Sequence, residues 1–385
     1  MIDEKRLLDE FLKLVRIDSP SRDEAEVSSC LRSSLEELGA AVSEDGAASA
    51  TGGNAGNLVA RFKGNLPEAP AMLLSAHMDT VSPGRGIIPV IREGIVYSEG
   101  ETILGSDDKS GIAIIMEILR SLKEHKPPHC DIEVVFTVCE EVGLLGAKAL
   151  DLSGLKASFG YALDSTESCS LVYAAPASNH LKFTIRGIES HAGLAPEKGI
   201  SAIQLAAKAI AAMPLGRIDD ETTANIGIIK GGSATNIVPG IVEIMGEARS
   251  HNAAKLKEQT NAMVSCIKAA VDENPGIGGQ KAGCDIEISF DYPLMRLQEN
   301  CKPLALAKKA SSRMGMEMVT RVGGGGSDAN IFNDKGIAMA ILGTGMEKVH
   351  TNEEHIRVAD LSKTAEFLME IILENGRNQS GSTAS

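Results

Sequence analysis

The stretch LLSAHMDTVSPG, residues 73–84, sets His77 and Asp79 two positions apart at the end of an apolar run. On an extended chain, positions i and i+2 project from one face, so the imidazole and the carboxylate can share a task. A lone H-x-D before a Pro-Gly turn reads first as turn or cap chemistry. Other segments change that balance. LGSDDKSG (104–111) puts Asp107 and Asp108 at the start of a helix. An Asp there caps free backbone N–H groups, but two adjacent carboxylates repel, and a nearby cation offsets that cost. VVFTVCEEVGLLGA (134–147) ends an apolar strand on Glu140 and Glu141; glutamate is depleted in strands and costly among apolar neighbours, so a plain solvated face fits it poorly. ALDSTES contributes Asp164 at another strand end, and KVHTNEEHI contributes His350 after the strand GIAMAILG. Any one of these is weak; together they stand at the carboxyl ends of strands that a single sheet would gather. Imidazole with carboxylates suits zinc, manganese or cobalt rather than calcium, because imidazole is a borderline-soft ligand.

Competing chemistries fit less well. The chain has no H-E-x-x-H, no G-x-S-x-G elbow and no Walker loop. The run GGGGSDAN (323–330) lacks the Lys-Ser/Thr of a phosphate loop; a turn presenting N–H groups to a small carboxylate and a purely structural glycine turn both remain open. Cys139 reads as a buried strand cysteine rather than a nucleophile. His125 and His129 flank a Lys-Pro-Pro loop and read as solvated, and His180 and His355 lack a partner by spacing.

The elements that must position these groups follow from periodicity. Helical spacing near 4–16 and 22–39 precedes short runs that are apolar on both faces: LVARF (58–62), AMLLSAH (71–77), IEVVFTVC (132–139) and FGYALD (159–164). Such runs suit buried strands of a mixed, mostly parallel sheet covered by helices, with 109–125 as one covering helix. From about 177 the texture becomes amphipathic, in the order strand, helix, strand, strand, helix, strand, a split β-α-β unit. After Tyr292 the first texture returns, with helices near 299–314 and 359–374. The expectation is an α/β fold carrying an inserted α+β domain: residues 1–176 and 292–385 form one domain and 177–291 the insertion. The polar ending, about 375–385, reads as a frayed tail.

With 385 residues, the chain exceeds one ordinary core. The start spaces Leu7, Leu8, Phe11, Leu12 and Val15 as a helix face and is not a signal peptide; no apolar run is long enough to span a membrane. Seven cysteines without a C-x-x-C pair fit free thiols in a cytoplasmic setting. A net charge of −14 without a basic cluster argues against a nucleic-acid partner.

Taken in order, SAHMDTV, LGSDDKSG, CEEVGLLGA, ALDS, ESHAGLAPEKGISAI, GGSATNIVPG, EARS, GGGGSDAN and VHTNEE resemble the M20 clan of metallopeptidases, and within it the peptidase T-like branch. The resemblance implies two divalent metals per chain, zinc first, with manganese or cobalt as alternatives. His77 and Asp164 would hold one, Glu141 and His350 the other, with Asp107 bridging. It further implies Asp79 as the residue fixing His77, Glu140 as general base, His191 as a donor to the reaction's oxyanion, and a cis bond between Asp107 and Asp108. Asn236, Arg249 and Gly326 match positions that hold substrate in relatives; Ser250 and His251 follow Arg249 where many relatives carry an acidic residue two positions on. The insertion would serve as a lid and as the surface of a homodimer. The function implied is an exopeptidase acting on short peptides by metal-activated water, aminotripeptidase-like. A deacylase or amidase of N-acyl amino acids on the same metals is the alternative. A metal-retaining binding protein without catalysis is a third reading, against which the presence of Glu140 counts.

Overall fold

A computed structural model describes residues 1–380. The chain divides into two compact units, Met1–Ala175 with Met295–Ser385, and Pro176–Leu294. The first crossing falls in the turn before strand Ala177–Arg186; the second falls after Leu294, because Met295–Arg296 pairs back onto Ser170–Ala175.

The first unit is built on a mixed sheet in the order Ala41–Glu44, Leu58–Phe62, Ile132–Thr137, Met72–His77, Phe159–Ser165, Ala338–Gly343, Ser170–Ala175 and Met295–Arg296, with Val319–Val322 also paired to Ser170–Ala175. Its middle strands, from Ile132–Thr137 to Ala338–Gly343, run parallel, and antiparallel pairs flank them. Every residue of Met72–His77 and Ile132–Thr137 is buried, which is why the two runs lack alternation. Helix Ser106–His125 packs on Met72–His77 and on the N-terminal helix Glu4–Val15. The last is pinned by Arg6, whose guanidinium meets the buried Glu117 carboxylate at 2.7 and 2.9 Å.

The C-terminal helix Val358–Ser380 outruns its expected end and corrects the frayed tail over 375–380; residues 381–385 lie outside the described residues. Its polar positions are used rather than solvated: Glu374 takes Arg313 at 2.7 Å and Asn375 donates to the Pro70 carbonyl at 2.9 Å. His129 is likewise buried, not solvated, its ring stacked on Phe62 at 6.0 Å between centroids. His355 has partners that spacing hid, stacking on Tyr97 and reaching Glu347 at 3.5 Å.

The second unit is an antiparallel sheet in the order Gly216–Arg217, Thr222–Gly231, Ile241–Ser250, Ala177–Arg186, Gly283–Tyr292. Helices Ala202–Ala212 and Ala253–Asp272 cover one face of it, burying Phe183, Ile185 and Ile244 of the sheet against Leu205 and Met263 of the helices. Both helices begin where the sequence offers a cap: Ser201 Oγ accepts from Gln204 N, and Asn252 Oδ1 from Ala254 N and Lys255 N.

Candidate metal centre

Parallel register brings residues from distant segments to one end of the sheet. His77 closes its strand opposite Thr137, three positions before Glu140. Asp164 lies one residue from the end of Phe159–Ser165 on the other flank of the His77 strand. Asp107 and Asp108 open the helix lying on that strand, and the peptide between them is cis. Their jobs differ. Asp108 Oδ1 caps the helix through Gly111 N at 3.2 Å, and its Oδ2 receives His77 N at 3.2 Å. Gly111 has to be glycine: a Cβ there would stand 2.4 Å from that Asp108 oxygen. Asp107 instead faces the cleft.

Asp107 stands at the centre of the cluster. Its Oδ1 is 3.0 Å from His77 Nε2, its Oδ2 is 3.2 Å from His350 Nε2, and His350 Nε2 is 2.9 Å from Glu141 Oε1. In each of three sets the donor atoms lie within 4.8 Å of one another: His77–Asp107–Asp164, His77–Glu140–Glu141 and Asp107–Glu141–His350. The Asp107 carboxylate thus shows one oxygen to each of two imidazoles.

Asp79 does something other than expected from an i, i+2 pair on one strand. The strand ends at His77, and His77 Nδ1 meets the Asp79 carbonyl oxygen at 2.9 Å but the carboxylate only at 3.5 Å. The fully buried carboxylate accepts from Glu140 N at 2.9 Å, Glu141 N at 3.2 Å and Ser21 Oγ at 2.7 Å. Asp79 thus ties the histidine segment to the Glu-Glu pair.

Glu354 was missed by sequence reasoning, although it stands within VHTNEE. Its buried carboxylate accepts from Leu104 N at 2.8 Å, Gly105 N at 3.0 Å, Ser106 Oγ at 2.6 Å and Asp107 N at 3.1 Å. Four residues after His350, it fastens the His350 segment to the loop that presents Asp107. Nothing in the pattern singles out one of two adjacent acidic positions, Glu353 and Glu354.

The charges do not balance without added positive charge. Burial raises Glu140 well above the usual carboxylate range, with Asp164 and Asp328 adding repulsion. Burial, then Asp107, pushes Asp164 up to about 8. Burial opposes a charge on His77, yet Asp107 and Asp79 hold its pKa well above normal. The Asp107 and Glu141 contacts carry His350 to about 10. Protons are therefore held where the donor set asks for cations, and this donor set, oxygen-rich with two imidazoles, fits divalent metals.

Asp107, Glu140, Glu141, Asp164 and His350 share one open cleft of about 280 Å³ with the run Gly323–Gly326 and the apolar Val172, Ile341, Met346 and Val349. The glycine run is thus a wall of the site, and Gly326 is in it. His191 and Asn236 belong to the second unit, where the ladder Ser190–His191 to Ile237–Val238 sets them together: Ala192 N donates to the Asn236 carbonyl at 2.9 Å. His191 Nδ1 accepts from Gly193 N and Leu194 N at 3.2 and 3.1 Å, so the ring proton sits on Nε2. Arg249 is not brought to that pair. It lies opposite Ser178 and Thr223, eight residues along the strand from Ile241, about 26 Å of extended chain, and its Nη2 meets Glu247 at 2.9 Å.

The family model of peptidase family M20/M25/M40 matches residues 73–374. The chain belongs to that family. Within it, this M20 peptidase is similar to the aminopeptidase PepT from Bacillus cereus ATCC 10987, with 43% identity, TM-score 0.86, and 97% of this chain and 99% of that one covered. It is similar also to a tripeptidase from Staphylococcus aureus subsp. aureus Mu50, with 39% identity, TM-score 0.91, and coverage of 98% and 100%. Uncharacterized protein YqjE of Bacillus subtilis (strain 168) is 45% identical over 375 residues, 97% of this chain and 99% of that one. These relatives place the M20 peptidase in the peptidase T-like branch, as a metallopeptidase that hydrolyses peptides.

Proposed function

We propose that this M20 peptidase removes the N-terminal residue from short peptides, tripeptides first, using two divalent cations, zinc in the first place. His77 and Asp164 would hold one ion, Glu141 and His350 the other, and Asp107 both. The observation that carries this reading is the placement of the two Asp107 oxygens against two different imidazoles, in a cleft that Glu140 also lines. Such ions, when bound, supply Lewis acidity and ease the deprotonation of water near neutral pH.

The protein's own groups do the rest. Glu140 accepts a proton from the attacking water as its oxygen bonds to the amide carbon, and returns that proton to the leaving amine as the C–N bond breaks. Its raised pKa, caused first by burial, suits a carboxylate that must hold the proton between those events. Asp79 fixes the direction of Glu140 through the backbone. His191, fixed as the Nε2–H tautomer, is a preformed donor for the oxyanion. Gly326, Asn236 and Arg249 are assigned to the substrate, Arg249 by the fork that meets a carboxylate bidentately. We assign the second unit as lid and homodimer surface, and the cytoplasm as the location. Seven free cysteines support the latter, and no described helix is long and apolar enough to cross a membrane.

Hydrolysis of a tripeptide compared with its N-acetylated form tests the reading. The free tripeptide is expected to be cleaved and the blocked one left intact. Cleavage of the blocked form alone would overturn the aminopeptidase in favour of the deacylase.

A further inference from the structure

The segment after strand Ile132–Thr137 leaves the sheet with four successive backbone N–H groups and no strand to receive them. Side chains from three other segments take all four. Val138 N donates to Asn57 Oδ1 at 3.0 Å, Cys139 N to Glu24 Oε1 at 3.0 Å, and Glu140 N and Glu141 N to the two Asp79 oxygens. The carbonyls of Val138, Cys139 and Glu140 are taken within the turn by Gly146 N, Leu145 N and Leu144 N at 2.8–3.0 Å. At Gly146 the approach is so close that a Cβ would stand 2.2 Å from the Val138 oxygen.

Cys139 is where the chain turns. Its φ is +54°, left-handed backbone uncommon for a residue with a side chain. This turn lets Glu140 and Glu141 face one cleft instead of opposite faces of a continued strand. Glu24 receives both polar hydrogens of Cys139, the N–H and the thiol, the latter at 3.3 Å.

Glu24 is unusual in its own setting. It stands at the N-cap of helix Ala25–Glu37 without a capping hydrogen bond from its side chain, whose Oε1 accepts from Arg22 N at 2.9 Å as well as from Cys139. The side chain is fully buried, and its Oε2 has no hydrogen-bond partner among the described residues. A buried carboxyl that leaves one oxygen unpaired is a costly way to brace a loop. The cost makes sense where the loop's geometry itself matters. The same short segment also supplies Ser21 to the Asp79 carboxylate at 2.7 Å.

We propose that Glu24 is a positioning residue for the general base: it holds the left-handed turn at Cys139 through the backbone and so aims Glu140 into the cleft. This rests on Glu140 acting as the base. Glu24 is not among the residues lining the cleft and its hydrogen bonds go to Arg22 and Cys139 rather than to the assigned ligands, so its effect belongs to turnover.

The test is kcat, KM and metal content of the metal-loaded enzyme on a tripeptide, for Glu24→Ala, Glu24→Gln and Glu140→Gln. Glu24→Ala is expected to lower kcat about 10- to 100-fold with KM and bound metal within about twofold of the parent. Glu24→Gln, whose amide oxygen still accepts from Cys139 N, is expected to stay within about fivefold. Unchanged kcat in Glu24→Ala, or a Glu24→Gln as impaired as Glu24→Ala, overturns the proposal. If Glu24→Ala does not fold, Glu24→Asp replaces it: one methylene shorter, it should be slower than Glu24→Gln, and the opposite order overturns the proposal. An active Glu140→Gln would instead remove the base assignment itself.

Discussion

Glu140 and Glu141 are neighbours in sequence with different work to do. Glu141 meets His350 at 2.9 Å, whereas no described side chain hydrogen-bonds the Glu140 carboxylate, which stays free to move a proton. Glu140→Gln should therefore keep its metal and lose turnover by at least about 10²- to 10⁴-fold, the share of a general base. Kinetics paired with elemental analysis checks this. That these carboxylates and imidazoles gather at one sheet end was legible in the sequence, because a carboxylate or imidazole closing an apolar strand is out of place for packing. Asp79, Glu354 and Glu24 were not legible in the same way. They act on backbone N–H groups of Glu140, Asp107 and Cys139, and a sequence does not display which N–H a carboxylate will meet.

The His350 and Asp107 segments are held to each other by Glu354, which satisfies three backbone N–H groups and one hydroxyl at once. Glu354→Ala strands those donors and should cost about 2–5 kcal/mol of stability, seen as a lower Tm. Because Asp107 loses its support, metal affinity should also fall about 10- to 100-fold. A variant with unchanged metal affinity would show the clamp to be idle. At this scale the buried strands read well, since runs apolar on both faces have few other uses in a chain of this composition. The end of the last helix did not, because Glu374 and Asn375 find partners in Arg313 and Pro70 that lie far away in sequence. Nor did the turn at Cys139, which depends on Glu24, Asn57 and Asp79 arriving from elsewhere.

The whole molecule gathers more negative charge at one sheet end than the fold can hold cheaply, and this sets how its stability depends on pH. Asp164 is pushed up to about 8 by burial and Asp107, and His350 is raised to about 10 by Asp107 and Glu141. Both folded-state values exceed the unfolded ones, so each group's stabilisation is complete below its unfolded pKa and is lost as pH rises through its folded one. The chelator-treated protein should accordingly melt lower at about pH 9 than at about pH 6, and divalent metal should shrink that difference by replacing the protons. A Tm that rises over this interval without metal would contradict the charge account. The organisation into a sheet-based unit and an inserted antiparallel one was legible from the change in texture near residues 177 and 292, because a buried parallel sheet and a one-faced sheet impose different periodicities. The most direct test is to titrate divalent metal into the chelated enzyme while following tripeptide hydrolysis. The account predicts no activity without metal and saturation at two ions per chain; full activity without metal, or saturation at one, would contradict it.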